Sequence, residues 1–189
     1  MLDLWFERCG FFFRSNCAKI RLVIVVRIIG IDPGLAIVGY GILDYEGNHF
    51  DLVAMGAIKT PKNYLLPKRL LMISEEMKTL LDLYEPDEMA IEELFFNKNI
   101  TTGISVSHAR GVEILEAVKK EIPIYEYTPF QVKQSVTGYG KAEKRQVEEM
   151  VKLLLNLKKR PELDDTADAL AIAVCHGHSL KFKEEFRLG

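Results

Sequence analysis

The spacing of apolar residues changes along the chain and divides it into two parts. From Val23 to Ile31 the run is β-branched and barely alternates, with Arg27 its one charge, the pattern of a central strand buried on both faces. Asp32-Pro33-Gly34 is a turn signal that ends it. Ile37 to Asp44 reads as a second strand. Glu46-Gly47-Asn48 is a hairpin turn before a third, from Phe50 to Lys59. Strands joined by such short turns are antiparallel neighbours. Leu66, Leu70, Ile73, Met77 and Leu80-Leu81 then recur at helical spacing, which predicts an amphipathic helix over 66–84 that Pro86 stops. Met89 to Glu92 is a short strand. Residues 104–120 fit a helix with Val106, Ala109, Val112 and Leu115 to Ala117 toward one side, and Ile122 to Tyr127 is another strand. Thr128-Pro129 has the chemistry of a helix start, Thr as N-cap and Pro in the first turn. Gly138 and Gly140 break the chain, and 142–156 and 165–180 read as two more helices. The order β-β-β-α-β-α-β-α-α-α, with helices between the later strands, predicts an α/β fold. Its core would be a mixed five-stranded sheet flanked by helices.

Composition adds limits. The chain has 189 residues, 48% apolar and 28% charged, with a net charge of −2; this suits one domain with a real core and excludes a disordered chain. Cys9, Cys17 and Cys175 form neither an even set nor a CxxC pair, which argues against a secreted disulfide scaffold or a zinc site and for a reducing, cytoplasmic setting. The first residues are apolar, but Asp3 and Glu7 stand where a signal peptide is positive. Arg21 and Arg27 interrupt a run too short for the roughly 20 apolar residues that span a bilayer. No membrane association is expected. Residues 1–26 are read as an N-terminal extension, either a start placed upstream or a genuine extra segment, 27–180 as the folded domain and 181–189 as a tail.

Four carboxylates fall where chemistry collects. Asp32 ends the first strand and Glu92 the fourth, and the carboxyl ends of strands in such sheets are where ligands gather. Asp165 and Asp168, three residues apart, share one face of the last helix, whose alanines (Ala167, Ala169, Ala171, Ala173) let it lie close against the sheet. Each has an ordinary alternative: Asp32 as a turn residue, Asp165 as an N-cap, Asp168 as a favourable charge at a helix start, Glu92 as an exposed strand end beside Glu93. As a set they carry more weight. Two carboxylates 4 Å apart repel by about 4 kcal/mol at an effective dielectric of 20. Hard divalent cations offset that, and a pair of Mg²⁺ ions on such acids would hydrolyse a phosphodiester.

The surroundings fit a polyanion. From Thr128 to Arg160 the bases Lys133, Lys141, Lys144, Arg145, Lys152, Lys158, Lys159 and Arg160 face only Glu143, Glu148 and Glu149. Part of this is an ordinary solvated helix face, but Lys133, Lys141 and Lys144 flank the glycine loop, where a phosphate backbone can approach. Phe95 and Phe96 follow Glu92 closely; one belongs to the core and the other is placed to stack on an unpaired base. His176 and His178 read as decoration of a helix end.

GIDPG with its following GYG, AIEELFFNKN, ARGVEILEA, YEYTPFQVKQSVTGYGKAEKRQV and DDTADALAIA, in this order, resemble the RuvC-type Holliday-junction resolvases from about Arg27 to His178. The resemblance implies an RNase H-like fold. It implies that Asp32, Glu92, Asp165 and Asp168 are the catalytic, Mg²⁺-binding acids, choosing Glu92 over Glu93 and Asp165 over Asp164, with two ions per subunit during catalysis. It implies that Lys133 and Lys144 lie near the scissile phosphate and that Phe95 meets bases at the centre of four-way junction DNA. It further implies a homodimer that nicks two symmetric strands, leaving 5′-phosphate and 3′-hydroxyl ends, and that works with a branch-migration motor of the RuvA and RuvB type. The family differs at the front, where its members begin close to the first strand.

Two other readings share some of these residues. A different RNase H-like nuclease would carry the same acids, and GIDPG also resembles the first phosphate loop of actin-like and sugar-kinase ATPases. The latter need a second loop and an adenosine pocket, and neither is visible in 189 residues. A catalytically dead DNA-binding module is disfavoured by the presence of all four acids.

Overall fold

The computed structural model describes residues 25–94 and 100–189. Its elements follow the predicted order: β1 (Val26–Asp32), β2 (Ile37–Glu46), β3 (His49–Lys59), α1 (Leu66–Tyr84), β4 (Glu88–Glu92), α2 (Ile100–Lys119), β5 (Ile124–Tyr127), α3 (Pro129–Thr137), α4 (Lys144–Leu154), α5 (Asp164–Ser179) and a closing 3₁₀ helix (Leu180–Phe186). The five strands lie in the order β3-β2-β1-β4-β5. β1 to β3 pair antiparallel, while β4 runs parallel to both β1 and β5.

This order decides where chemistry can occur. β1 is central, as its unalternating apolar run predicts, and Ile31 pairs with Ile91. Asp32 and Glu92 therefore end adjacent parallel strands on the same edge of the sheet. One face of the sheet, through Ile29, Ile31, Met89 and Ile91, packs on α1 and α2. The other, through Ile28 and Ala90, packs on α3, α4 and α5. With a side-chain period of two, Asp32 shares the second face with Ile28 and Gly30, and Glu92 shares it with Glu88 and Ala90.

The central helix α5 is almost wholly buried. Its alanines supply one half of the close approach and strand glycines the other. A Cβ at Gly30 would stand 2.2 Å from the Ala169 carbonyl oxygen, and one at Gly39 2.0 Å from that of Asp165. Any side chain there would lift the helix and carry its aspartates away from Asp32.

Several boundaries differ from expectation for local reasons. β5 starts at Ile124 rather than Ile122, since Pro123 has no N–H for the ladder. α4 starts at Lys144 rather than 142 because Glu143 and Gln146 form a capping box there. It stops before Asn156, whose φ of 48° is left-handed. α2 begins four residues early, at Ile100. The segment expected as a tail is part of the packing: the Leu188 amide donates to the Ile124 carbonyl at 2.9 Å, and the Phe186 ring lies 4.9 Å from that of Tyr127. His176 is no surface decoration. It is fully buried, with Nε2 2.6 Å from Glu88 Oε2 and Nδ1 2.8 Å from the Tyr127 hydroxyl. No helix among the described residues is long and apolar enough to cross a membrane.

Candidate active site

Three elements bring the acids together: the ends of β1 and β4 and the first two turns of α5. Asp32 and Glu92 end adjacent parallel strands, on the face that α5 covers. Burial, then the negative charges of Glu92, Asp168 and Asp165, push the Asp32 carboxyl up to about 8, with Lys144 opposing the rise. Burial and Asp168 push Glu92 up to about 7 against the attraction of Lys133 and Lys144. Asp168 is also raised, chiefly by burial, although the Lys144 ammonium stands 2.9 Å from its Oδ2. Two neighbouring carboxyls titrating near neutrality share protons because they cannot comfortably both be ionised.

Two of the ordinary alternatives differ from what the structure shows. Asp165 does not cap α5: the N-cap is Leu163, with no side-chain cap bond. Glu92 is no exposed strand end, since it lines a groove with Lys133, Lys144 and Asp168. The Glu93 amide donates to the Tyr127 carbonyl at 2.9 Å. Asp165 sits on the far side, in a second groove with Gly34 to Ile37, Arg69 and Ser105. Asp164, exposed, is 3.3 Å from Lys144. Among the described residues, no three acids or histidines already stand as a closed ligand set. The donors are nevertheless hard oxygens that repel one another, the chemistry that suits a divalent cation, and Lys144 partly neutralises Asp168 in this structure.

The two lysines come from α3 and from the first position of α4. α3 is fixed by a full capping box, Thr128 with Gln131, and ends on Gly138 at φ 77°. Lys133 faces Glu92 across the groove, and Lys144 is set at the mouth by the Glu143–Gln146 box. Phe95, together with Phe96 and Lys98, lies outside the described residues.

Two further residues belong to this site and were not singled out in the sequence. Arg110 of α2 donates to the Glu92 carbonyl at 3.2 Å and pairs with Glu126, which anchors the backbone of β4 where Glu92 leaves it. Glu113, one turn later, is fully buried and neither carboxyl oxygen has a hydrogen-bond partner. Burial and the charge of Asp32 push it up to about 8; Arg110 and the Gly34 amide, near but outside bonding geometry, offset only part. The signal for Glu113 was present: an acid on the stripe that Ala109 and Ala117 continue toward the core.

Comparison with known proteins agrees with this architecture. The family described as crossover junction endodeoxyribonuclease RuvC matches residues 28–176. The RuvC of Alkaliphilus metalliredigens is 57% identical over 161 residues, covering 85% of this chain and 98% of the relative. That of Finegoldia magna is 53% identical over 158 residues, 84% of this chain and 96% of the relative. Among solved structures, Thermus thermophilus RuvC in complex with Holliday junction substrate superposes with a TM-score of 0.82 at 31% identity, covering 86% of this chain and 99% of that one. The expected RNase H-like fold is the fold observed, and the family implies use of a divalent metal ion. An acid-ended pair of parallel strands under a close-packed helix, matched over nearly the whole length of these relatives, places the chain in the crossover junction endodeoxyribonuclease RuvC family.

Proposed function

We propose that this protein is a Mg²⁺-dependent endonuclease that resolves four-way DNA junctions by paired, symmetric nicks during recombination and repair in the cytoplasm. The observation that carries the reading is that Asp32 and Glu92 end the adjacent parallel strands β1 and β4, beneath the start of the α5 helix that bears Asp165 and Asp168.

Asp32, Glu92, Asp165 and Asp168 are the residues that would hold the ions, two per subunit during catalysis. Bound there, they supply Lewis-acid activation of a water and charge stabilisation at the leaving 3′ oxygen. Cation charge there would offset the repulsion among these acids. Lys133, on the groove wall opposite Glu92, orients the scissile phosphate. Lys144, bonded to Asp168 at 2.9 Å, would be free to meet a phosphate oxygen where a cation neutralised that acid. Phe95, next along the chain from the Glu92 strand, meets the unpaired bases at the junction centre. Each chain carries one acid cluster, so two nicks on like strands require a homodimer whose two-fold axis matches that of the junction. The exposed apolar side of α2 (Ile104, Leu115, Val118) is the proposed dimer face. A branch-migration motor of the RuvA and RuvB type would present the substrate.

The test is cleavage of a synthetic four-way junction by purified protein with Mg²⁺, beside linear duplex and an RNA–DNA hybrid. Symmetric paired nicks confined to the junction are expected. Preference for the hybrid, or equal cutting of linear duplex, would replace this reading with a different nuclease of the same fold.

A further inference from the structure

The loop between α3 and α4 is built more rigidly than a connector requires, and it displays aromatic rings. The Gln134 side chain clamps it from both sides, its Nε2 donating to the Gly138 carbonyl at 2.8 Å and its Oε1 accepting from the Gly140 amide at 2.9 Å. The Tyr139 amide donates to Thr137 Oγ1 at 3.1 Å, and the Ala142 amide donates to the Tyr139 carbonyl at 3.0 Å. The Phe130 ring packs against Gly140, where a Cβ would come within 2.3 Å of it. With its backbone so fixed, the loop leaves Tyr139 60% and Phe130 56% exposed.

Single exposed apolar side chains are common and need no role. This pair differs in its setting. Phe130 stands in α3 among Pro129, Val132 and Lys133, which line the groove that holds Glu92 and Asp168, and it meets the loop at Gly140, next to Tyr139. Lys133 and Lys141 have no acidic ion-pair partner among the described residues and stand on either side of the loop in sequence. Two rings beside two lysines are too small an area for a protein partner, which takes roughly 800 Å² a side. They do match a nucleic-acid strand, whose phosphates meet the lysines while a base meets a ring.

We infer that Tyr139, supported by Phe130, is a second base-stacking platform that takes an unstacked nucleobase of the DNA strand entering the acid groove on its α3 side. The inference rests on the reading that the neighbouring acids act on DNA. A pre-ordered loop spares the ordering cost on binding, and a ring is indifferent to base identity, so the platform would strengthen capture without setting sequence preference.

The experiment is junction binding by the full chain in EDTA, followed by fluorescence anisotropy across a salt series. An abasic nucleotide is moved through the positions around the crossover. Tyr139→Ala should weaken binding about tenfold, at an unchanged salt slope, and Tyr139→Phe should restore it. Lys141→Ala should instead lower the slope by about 0.9. At one abasic position the wild type should lose the same factor as Tyr139→Ala, and the variant should lose nothing more. Unchanged affinity of Tyr139→Ala would overturn the inference. So would losses from variant and abasic site that multiply at every position. A wild-type protein with no preference for junctions would count against the proposed function alone. The platform is then tested by the same cycle on a single-stranded oligonucleotide.

Discussion

The two glutamates of β4 face the same helix four residues apart, and their environments are opposite. At the start of the strand Glu88 meets Nε2 of His176 at 2.6 Å and the ammonium of Lys183, while Tyr127 occupies the other imidazole nitrogen. Burial alone would raise Glu88, but the hydrogen bonds from His176 and Lys183 outweigh it and hold the carboxyl below its ordinary value. At the end of the strand Glu92 meets Asp32 and Asp168, and its carboxyl goes up to about 7. One end of α5 thus buries charge with every partner supplied, and the other buries like charges together. A polar network satisfied within the chain fastens the fold. One left short of positive charge marks where something from outside must bind.

That contrast can be broken from either end. The largest effect is expected from Asp32→Asn: junction cleavage should fall by more than about 100-fold, beyond the cost of removing an outer partner of a metal site. Junction binding should persist, because the basic surface is untouched. Cleavage near the wild-type rate would remove Asp32 from the ion-holding set. At the other end His176→Ala strands the Glu88 carboxylate with Lys183 alone, and should destabilise the protein by about 3 kcal/mol in urea unfolding. The remaining folded fraction should cut junctions normally. A comparable loss of specific activity in folded His176→Ala would mean the two ends are not separate.

Stability against pH sharpens the comparison, because the ends titrate in opposite senses. Asp32 and Glu92 have raised values, so the stability they contribute is full below about pH 4 and is lost as pH rises through about 7 to 8. Glu88 has a lowered value, so its contribution is present above about pH 4.5 and is lost as pH falls. In metal-free protein at pH 8, Asp32→Asn should therefore gain at least about 1 kcal/mol, or roughly 2–4 °C in Tm. Loss of stability on that substitution would contradict the electrostatic account. The smallest effects are those of Lys133→Ala and Lys144→Ala. Each should flatten the salt dependence of junction binding by about 0.9, and an unchanged slope in both would make them bystanders.

Much of this was legible in the sequence, for reasons that differ from residue to residue. The unalternating run before Asp32 announces the central strand, and the alanines of α5 announce a helix close to it. What could not be read was the matching half of that contact: Gly30 and Gly39 lie in strands, where glycine has several meanings, and only the fold brings them under Ala169 and Asp165. The acids were individually ambiguous and became a site because β1 and β4 are parallel neighbours, a fact of topology rather than of local pattern. His176 was misplaced because a helix-terminal histidine looks exposed until the 3₁₀ helix closes over it with Lys183. Glu113 was passed over because one acid does not disturb the period of an otherwise apolar stripe.

The raised values of Asp32 and Glu92 predict that the acid end of α5 holds protons at neutral pH that a divalent cation would displace. The most direct measurement is Mg²⁺ titration of the full chain by calorimetry at pH 7, repeated in buffers of different ionisation enthalpy so that protons are counted. With Asp32 near 8 and Glu92 near 7, binding should release protons to the buffer, and Asp32→Asn should abolish most of that release. Binding without proton release, or equal release from Asp32→Asn, would contradict the account.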